Sequence, residues 1–333
     1  MTKNSGETVV KRASFKLLTI RSKIWGRAND RGLLYKVVIY ALLIALGFVY
    51  LYPMLSMFAT SLMSLEDLLD ASVQWLPTHP TLDNYKEALS VMHVSETLWN
   101  SVTAAFLPAF CQTIVCALTG YGLARYNVPG KSLIIALLVV TFVVPPYLLM
   151  VPNFVMFSSY KILGTLKTLV YPALLGQGTK SAIFVLVFMQ FFKQLPLSLD
   201  EAARLDGAGE ARIFFGISVP LAIPAFIICF LFSFVWYWND TYFTTLYLNG
   251  SNMGNATQVS TMLIELKNFD AVFRQHAQQI GGWAAGQATA GNVADEATKM
   301  SATVITIAPL LVMFFCLQKY FVEGIERTGV TGE

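Results

Sequence analysis

The sequence has 333 residues, of which 55% are hydrophobic and only 13% are charged, and its mean hydropathy is +0.57. Soluble domains typically carry about 25% charged residues, so this composition excludes an ordinary soluble protein and indicates a chain that resides in lipid. The net charge of +3 says little as a total, because the basic residues are unevenly distributed.

Six stretches are long and apolar enough to cross a bilayer core as helices, which takes roughly 20 residues. They cover about 34–58, 98–121, 132–151, 168–192, 214–237 and 301–321. The first is too long for a signal-peptide core and no small-residue cleavage site follows it, so we expect it to remain as a span. The prediction is an all-α membrane protein with six transmembrane helices in residues 34–322, between tails 1–33 and 323–333.

The distribution of basic residues predicts the orientation, since Lys and Arg concentrate in cytoplasmic segments. Residues 1–33 hold eight of them against two acidic residues, whereas 59–97 holds six acidic residues against Lys86. We therefore predict that both termini are cytoplasmic and that loops 59–97 and 241–299 lie outside. Within the second loop, the Gly/Ala-rich stretch 281–299 predicts a mobile loop with a short helix. The basic segment 14–32 fits either an amphipathic helix on the inner leaflet or a disordered tail.

Cysteine and histidine provide no candidate metal site. The four cysteines all lie inside apolar runs, as is typical of buried thiols in membrane helices: Cys111, Cys116, Cys229 and Cys316. The three histidines are isolated in the sequence, which favours surface positions over metal ligation: His79, His93 and His276. We also find no nucleophile–base pair, so no catalytic residue is predicted.

A polar stretch, 194–218, separates the fourth and fifth apolar runs and is therefore predicted to be cytoplasmic. Ser198 and Glu201 fit a capping box, in which each side chain satisfies a free amide at the start of a helix. Asp206 and Gly207 predict the end of that helix, because glycine at the C′ position takes a positive φ without a Cβ penalty. The expected product is a rigid helix of two to three turns.

This short helix has a surface suited to docking. Small side chains allow a partner to approach the helix backbone closely: Ala202, Ala203 and Ala208. Charged side chains can fix the register of that partner: Glu201, Arg204 and Asp206. The alternative is an interfacial helix that only joins two spans.

The same residues resemble the EAA loop of permease subunits in bacterial ABC importers. The match to E-A-A-x-x-D-G-A and the following proline comprises Glu201, Ala202, Ala203, Asp206, Gly207, Ala208 and Pro220. Other segments resemble carbohydrate-importer permeases: PTLDNYKEAL (80–89), Asn100-Ser101, TGYGLARYNVPGK (119–131) and QKYFVEGIERTGV (318–330). Together they are similar to the MalG-like permease of maltose-type importers, from about residue 36 to the end. The long last outer loop and the ending ERTGVTGE depart from that pattern.

The resemblance implies a type I ABC importer permease fold in a bacterial cytoplasmic (inner) membrane. It implies that the chain is half of the translocation pathway, beside a MalF-like companion permease, and that two ABC ATPase subunits and an extracytoplasmic sugar-binding protein complete the importer of a carbohydrate substrate. No nucleic-acid partner is expected. The EAA loop would be the coupling helix that docks into the ATPase, with Glu201, Ala202, Ala203, Arg204, Asp206, Gly207 and Ala208 as the coupling residues.

The stretch GQGTKS (176–181) comes nearest to a nucleotide-binding loop. Thr179 stands where the second glycine of a P-loop is required, and the setting is an apolar span and not a strand followed by a helix. We therefore expect no enzymatic activity and no cofactor on this chain, with ATP and Mg²⁺ bound by the partner ATPase.

Two polar sites near the ends of apolar runs are candidates for the substrate pathway. Gln177 and Lys180 interrupt the fourth run, and broken backbone inside a membrane is tolerated where it is buried or lines a cavity. Alternatively, the span starts near Thr179 and Lys180 extends to the outer interface. Asn239 and Asp240 end the fifth run.

Three aromatic residues, Trp236, Tyr237 and Trp238, precede Asn239. They favour an interfacial aromatic belt, with a sugar path as the alternative. The apolar cores show no evident carboxylate relay of the kind that proton- or sodium-coupled carriers use. A self-contained carrier or channel is therefore the second hypothesis for the whole chain.

Overall fold

The computed structural model describes residues 26–27, 30–73, 75–249, 259–280 and 291–329. The helices in chain order are α1 (Leu33–Ser61), α2 (Leu65–Leu69), α3 (Asp83–Val91), α4 (Val94–Arg125), α5 (Lys131–Val143), α6 (Met150–Ser159), α7 (Lys167–Leu174), α8 (Ser181–Gln194), α9 (Leu197–Leu205), α10 (Glu210–Ile213), α11 (Val219–Leu221), α12 (Ile223–Asn239), α13 (Tyr242–Thr244), α14 (Met262–Lys267), α15 (Phe269–Ile280) and α16 (Gly291–Gly329). A 3-10 turn at Pro146–Leu149 precedes α6, and π-helical turns occupy Phe214–Ser218 and Thr245–Asn249.

Extended structure is confined, among the described residues, to one small antiparallel pairing near the N-terminus. Strand β1 (Gly26–Arg27) pairs with β2 (Asp30–Arg31), with Gly26 opposite Arg31. This is a single tight turn and not a sheet, so the described fold is helical, as the sequence predicts. Most of the basic segment 14–32 lies outside the described residues, and neither interpretation of it is tested.

Three described helices are individually long and apolar enough to cross a membrane: α1, α4 and the Glu296–Lys319 part of α16. Three further candidates are pairs of helices joined at a sharp bend: Lys131–Val143 with Pro146–Ser159 at 90°, α8 with α9 at 70°, and Glu210–Leu221 with α12 at 76°. Counting each bent pair as one span gives six. The predicted stretch 168–192 is not one helix, because α7 and α8 are separated by residues 175–180.

Helix α4 is at the centre of the fold. Its 32 residues extend about 48 Å at 1.5 Å per residue, and it packs against α7, α8, α12 and α14. At Gly120, an added Cβ would lie 2.6 Å from the Cβ of Phe188 and 2.8 Å from the backbone N of Met189. Only glycine therefore allows α4 and α8 to approach each other this closely.

Two buried apolar clusters surround α4. The first joins the second half of α4 to α8 and the start of α12, through residues that include Cys116, Tyr121, Phe188, Phe192 and Cys229. The second joins the first half of α4 to the end of α12, to α3, α14 and α16, through residues that include Ala105, Phe234, Trp238, Met262 and Ala302. The large rings and small alanines of these clusters let helices pack closely without help from polar groups.

Helix α1 is attached to this core mainly at one end. Most of its apolar side chains are exposed, as expected for a helix that faces lipid or another subunit. At its carboxyl end, the amide of Asn84 donates to the carbonyl oxygens of Ser61 (3.1 Å) and Met63 (2.8 Å), and the Ser301 hydroxyl also donates to the Ser61 carbonyl (3.0 Å). Asn84 belongs to the segment PTLDNYKEAL, whose structural role here is to secure the end of α1.

The loops and the C-terminal end contain more helix than the sequence predicts. Residues 241–280 contribute α13, α14 and α15 where they are described, and 291–299 form the first turns of α16. The prediction for 281–299 was a mobile loop with a short helix; 291–299 are helical, as part of α16, and 281–290 lie outside the described residues. Helix α16 also continues to Gly329, so the segment predicted as a C-terminal tail, 323–333, is helical as far as it is described. Helix-forming residues such as Ala294, Glu296 and Ala297 continue directly into the apolar run, which explains the early start.

The close approach at Gly120 generates a stability prediction. Gly120→Ala should destabilise the protein by about 1–3 kcal/mol, the usual cost of overpacking a core. Gly122→Ala is the matched control, because nothing lies within 4 Å of a Cβ added there and the same gain in helix propensity applies to both. Thermal unfolding of both variants in the same detergent measures the difference, and equal midpoints would contradict the prediction.

Candidate functional site

The polar stretch between the fourth and fifth apolar runs folds as a helical hairpin. Helix α9 begins directly after Pro196 and is followed, after a turn, by α10. The predicted capping box is wrong: Pro196 is the N-cap, Ser198 lies inside the first turn, and no side chain caps the helix. Proline fixes φ near its helical value and lacks an N–H to satisfy, so the helix starts before Ser198.

The end of α9 has the geometry predicted from Asp206-Gly207. Gly207 has φ +80, its N–H donates to the Arg204 carbonyl (3.0 Å), and the N–H of Ala208 donates to the Ala203 carbonyl (2.9 Å). These two bonds define a Schellman motif with glycine at C′. The turn therefore fixes the direction of the chain as it leaves α9.

One face of α9 is turned outward. At 100° per residue, the exposed residues Ser198, Glu201, Ala202 and Leu205 share one face, and 90% of Leu205 is exposed. Asp206 and Gly207 are exposed at the tip and Ala208 is half-buried. The exposed leucine on a polar, rigidly ended helix is the feature of the hairpin that most resembles a docking surface.

The opposite face of α9 is buried. Ala203 packs inward, and the Asp200 carboxylate meets Arg125, the last residue of α4, with Nε 3.3 Å from Oδ2. Only 3% and 5% of the two side chains are exposed. Sequence reasoning missed this pair, because it joins residues far apart in the chain.

Arg204 is paired within the hairpin. Its guanidinium donates to both oxygens of Glu210, from Nε at 3.0 Å and from Nη2 at 3.2 Å. The Tyr126 hydroxyl donates to the same carboxylate at 2.7 Å. That hydrogen bond, which the neutral phenol makes as donor, raises the pKa of Tyr126 to about 12. Arg204 therefore links α9 to α10, and Tyr126 attaches both to the end of α4.

The second candidate region is the break between α7 and α8. Gly176 (φ +73) and Lys180 (φ 55) both have left-handed backbone conformations, and the N–H of Gln177 donates to the Pro172 carbonyl at 2.8 Å. The stretch GQGTKS therefore joins two helices, a setting unlike the strand-to-helix turn that a P-loop needs.

Two buried side chains hold this break in place. Gln112 of α4 donates to the Thr179 carbonyl (2.8 Å), the Tyr237 hydroxyl of α12 donates to the Gln112 side-chain oxygen (2.8 Å), and the Thr179 N–H donates to the Tyr237 oxygen (3.1 Å). A Cβ on Gly178 would lie 2.2 Å from Gln112 Oε1. The backbone freed by the break is thus paired with side chains, as a low-dielectric setting requires. A glutamine in the middle of an apolar run was the available signal, and sequence reasoning missed it.

The predicted pathway residues have different positions. Gln177 is exposed, and the Lys180 ammonium lies 5.1 Å from the ring centroid of Trp236. Asn239 is exposed, whereas Asp240 accepts a hydrogen bond from the Phe243 N–H at 3.1 Å and lines a small cleft with Ser101, Tyr237, Thr244 and Thr261. Break and cleft are therefore connected through Tyr237.

The aromatic-belt interpretation is wrong for two of its three residues. Tyr237 and Trp238 are each only 5% exposed, because Tyr237 joins the Gln112 network and Trp238 packs in the second apolar cluster. Only Trp236, which lies beside Lys180, is partly exposed.

The cysteines are all free thiols. Cys116 and Cys229 are buried as predicted, but Cys111 is half-buried and Cys316 is exposed, because their helix faces turn away from the core. Within the described ranges, no group of three or more His, Cys, Asp or Glu side chains could hold a metal ion.

Comparisons with known proteins identify the family. A family described as "Binding-protein-dependent transport system inner membrane component" matches residues 114–327. The polygalacturonan/rhamnogalacturonan transport system permease protein YtcP of Bacillus subtilis is 27% identical to this chain, over 90% of it and 99% of YtcP. The osmoprotective compounds uptake permease protein GgtD of Synechocystis sp. is 30% identical, over 87% of this chain and 90% of GgtD.

The fold also matches a solved structure. A chain in the crystal structure of a bacterial ABC transporter involved in the import of the acidic polysaccharide alginate superposes with a TM-score of 0.68 and 21% identity. The superposition covers 86% of this chain and 96% of that one. With the family match over well more than half of the chain, the protein belongs to the inner membrane components of binding-protein-dependent transport systems, the multi-pass permease subunits of ABC importers.

Proposed function

We propose that this permease subunit imports a sugar or oligosaccharide and that α9 is its coupling helix. The substrate class is supported by YtcP, named for polygalacturonan and rhamnogalacturonan, and by the alginate importer with the same fold. GgtD is named for the uptake of osmoprotective compounds, a name that does not specify the chemical class of its cargo. A self-contained carrier is not favoured, because the family consists of components of larger transport systems.

The observation that carries the coupling role is the pair of unlike faces on α9. The exposed face presents Leu205, Ala202 and Glu201, while the buried face is fixed to α4 through Asp200. A helix that only joined two spans would have no need for a 90% exposed leucine on a capped, polar tip. Such a side chain suits the groove of a soluble subunit, where burial of a leucine contributes about 1.5–3 kcal/mol.

In the proposed mechanism, ATP binding closes two ATPase subunits and draws the coupling helices of two permeases together. The helical bundles then rock from inward- to outward-open as rigid bodies. The second permease is a MalF-like companion, and an extracytoplasmic binding protein delivers the substrate to the outer loops. ATP and Mg²⁺ belong to the ATPase subunits.

The proposed orientation places the hairpin and both chain termini in the cytoplasm. Asp200 and Arg125 contact each other, so the hairpin lies at the same end of the molecule as the loop that precedes Lys131. The positive-inside rule assigns that end to the cytoplasm, in agreement with the eight basic residues of the first 33.

The proposed sugar pathway includes the break at 175–180 and the end of α12. Gln177 is exposed on a backbone that Gln112 and Tyr237 hold in place, a rigid arrangement suited to binding hydroxyl groups. Lys180, Asn239 and Asp240 are the further pathway candidates. Half-buried Asp240 beside Thr244 offers an acceptor for a sugar hydroxyl.

Docking through α9 predicts loss of ATPase binding when its exposed face is changed. Leu205→Asp and Ala202→Phe should each weaken association by about 2 kcal/mol, as for a central interface residue, which is roughly thirtyfold. Ala211→Phe, an exposed alanine on α10, controls for added bulk. Co-purification of the ATPase with the tagged permease measures the effect, and normal recovery with Leu205→Asp would refute the docking role.

The turn at Gly207 predicts that substitutions at this position reduce transport to different degrees. A Cβ at this position meets nothing within 4 Å, so the penalty for substitution comes from the positive φ alone. Gly207→Val should cost roughly 1–2 kcal/mol and reduce transport, whereas Gly207→Asn should retain most of it, since asparagine tolerates this conformation. Uptake by cells expressing each variant at equal levels is the measurement, and equal defects would show that the φ is not what matters.

The pathway assignment predicts a selective defect for Gln177→Leu. Uptake should require a higher substrate concentration, because a sugar hydroxyl loses its partner at a cost of about 0.5–1.5 kcal/mol. Gln194→Leu, an exposed glutamine at the other end of α8, is the control. The measurement is the concentration dependence of uptake for a panel of radiolabelled oligosaccharides. If Gln177→Leu leaves that dependence unchanged for every oligosaccharide, Gln177 is not part of the pathway.

A further inference from the structure

We infer that the buried ion pair between Arg125 and Asp200 is the positioning joint through which the coupling helix α9 moves α4. The inference rests on the proposed coupling role of α9. It adds a fixed mechanical connection between the cytoplasmic hairpin and the central helix of the fold, made by two residues that do not touch the ATPase-facing surface.

The burial of the pair is the first observation. The Arg125 and Asp200 side chains are 3% and 5% exposed, with Nε and Oδ2 3.3 Å apart. Removing two charges from water is expensive, and apolar residues of similar volume often stabilise a protein as well or better. Stability alone therefore does not account for the pair, whereas a fixed angle between α9 and α4 does.

Unused hydrogen-bonding capacity around the pair is the second observation. Two buried atoms of the pair itself have no hydrogen-bond partner: Arg125 Nε and Asp200 Oδ1. Arg125 Nε is at ion-pair distance from Asp200 but is not aligned for a hydrogen bond. Unsatisfied buried groups need an explanation, and a pair that is retained for the geometry it fixes, and not for its net stability, provides one.

The continuity of α4 is the third observation. Helix α4 contacts α9 through Arg125 and the break at 175–180 through Gln112. Near its other end, Asn100 donates to the Ser260 carbonyl and Ser101 accepts from the Met262 N–H. From Asn100 to Arg125 the helix rises about 38 Å. A displacement of its cytoplasmic end is thus transmitted along one continuous helix to Gln112 and, past Pro108, to Asn100 and Ser101.

The hairpin has a second attachment that serves as a control. Tyr126, Glu210 and Arg204 connect it to the end of α4, but the Arg204 and Glu210 side chains are 47% and 50% exposed. Ion pairs so accessible to water contribute little. Tyr126→Phe therefore removes a contact at the same place without touching the buried pair.

The test uses the assembled importer in lipid nanodiscs and follows the distance between α9 and α4. Spin labels are attached to Leu199→Cys on α9 and Leu107→Cys on α4, in a chain whose four native cysteines are replaced by alanine. Distances are recorded with and without ATP plus vanadate. In the otherwise native chain, and with Tyr126→Phe, the distance should stay constant, because the two helices move together.

The decisive variant is Arg125→Met with Asp200→Leu, which leaves no buried charge. We expect it to assemble and unfold at no lower temperature, yet to show a nucleotide-dependent change in the label distance of at least about 2 Å, the scale of helix shifts in switching proteins. Arg125→Lys should give an intermediate change. A constant distance in the double variant would overturn the inference, as would a changing distance in the native chain.

Failure of the double variant to assemble would also overturn the inference, because the pair would then be needed for folding itself. The underlying coupling role fails differently. If Leu205→Asp keeps its ATPase, the docking surface is wrong, whatever the label distances show; if Leu205→Asp loses the ATPase while the double variant behaves as the native chain does, only the joint is wrong.

Discussion

The arrangement depends on the contact between α4 and α8 at Gly120, where the two backbones approach closely enough to exclude any side chain. That contact places one uninterrupted helix in the centre of a chain whose other candidate spans are bent or lie at its periphery. Backbone polar groups inside a bilayer must find partners within the protein. Helix α4 and its neighbour α12 provide them at the break between α7 and α8, through Gln112 and Tyr237. Helix α4 thus both forms the centre of the packing and supplies a partner for the backbone at the break between α7 and α8.

The hairpin of α9 and α10 follows a different logic, because one of its faces packs on the rest of the fold and the other is exposed; in the proposed function the exposed face receives a soluble subunit. Ala203 and Asp200 turn inward, and Leu205 projects outward from a helix whose end is fixed by Gly207. A rigid turn is useful only if the helix is also held at its base, and the pair with Arg125 does this. The exposed leucine alone would provide affinity, whereas affinity combined with a fixed angle allows force to be transmitted.

Local chemistry was readable from the sequence, and long-range pairing was not. The turn at Gly207 was predictable because glycine's freedom at positive φ is a property of a single position, and the apolar runs were predictable because lipid imposes length. The capping box at Ser198 failed because Pro196 starts the helix earlier. The role of Tyr237 and Trp238 was misread because an aromatic cluster near a polar residue looks the same at an interface and in a core. Gln112 and the Arg125–Asp200 pair needed the fold, since 67 and 75 positions, respectively, separate the partners in the chain.

The most direct measurement is a photo-crosslink from a diazirine amino acid placed at position 205 in cells that express the whole importer. If α9 transmits motion from an ATPase, irradiation should join this chain to an ATP-hydrolysing subunit, and the yield should change when ATP is trapped with vanadate. Crosslinks to lipid alone, at every nucleotide state, would contradict the coupling role of this helix.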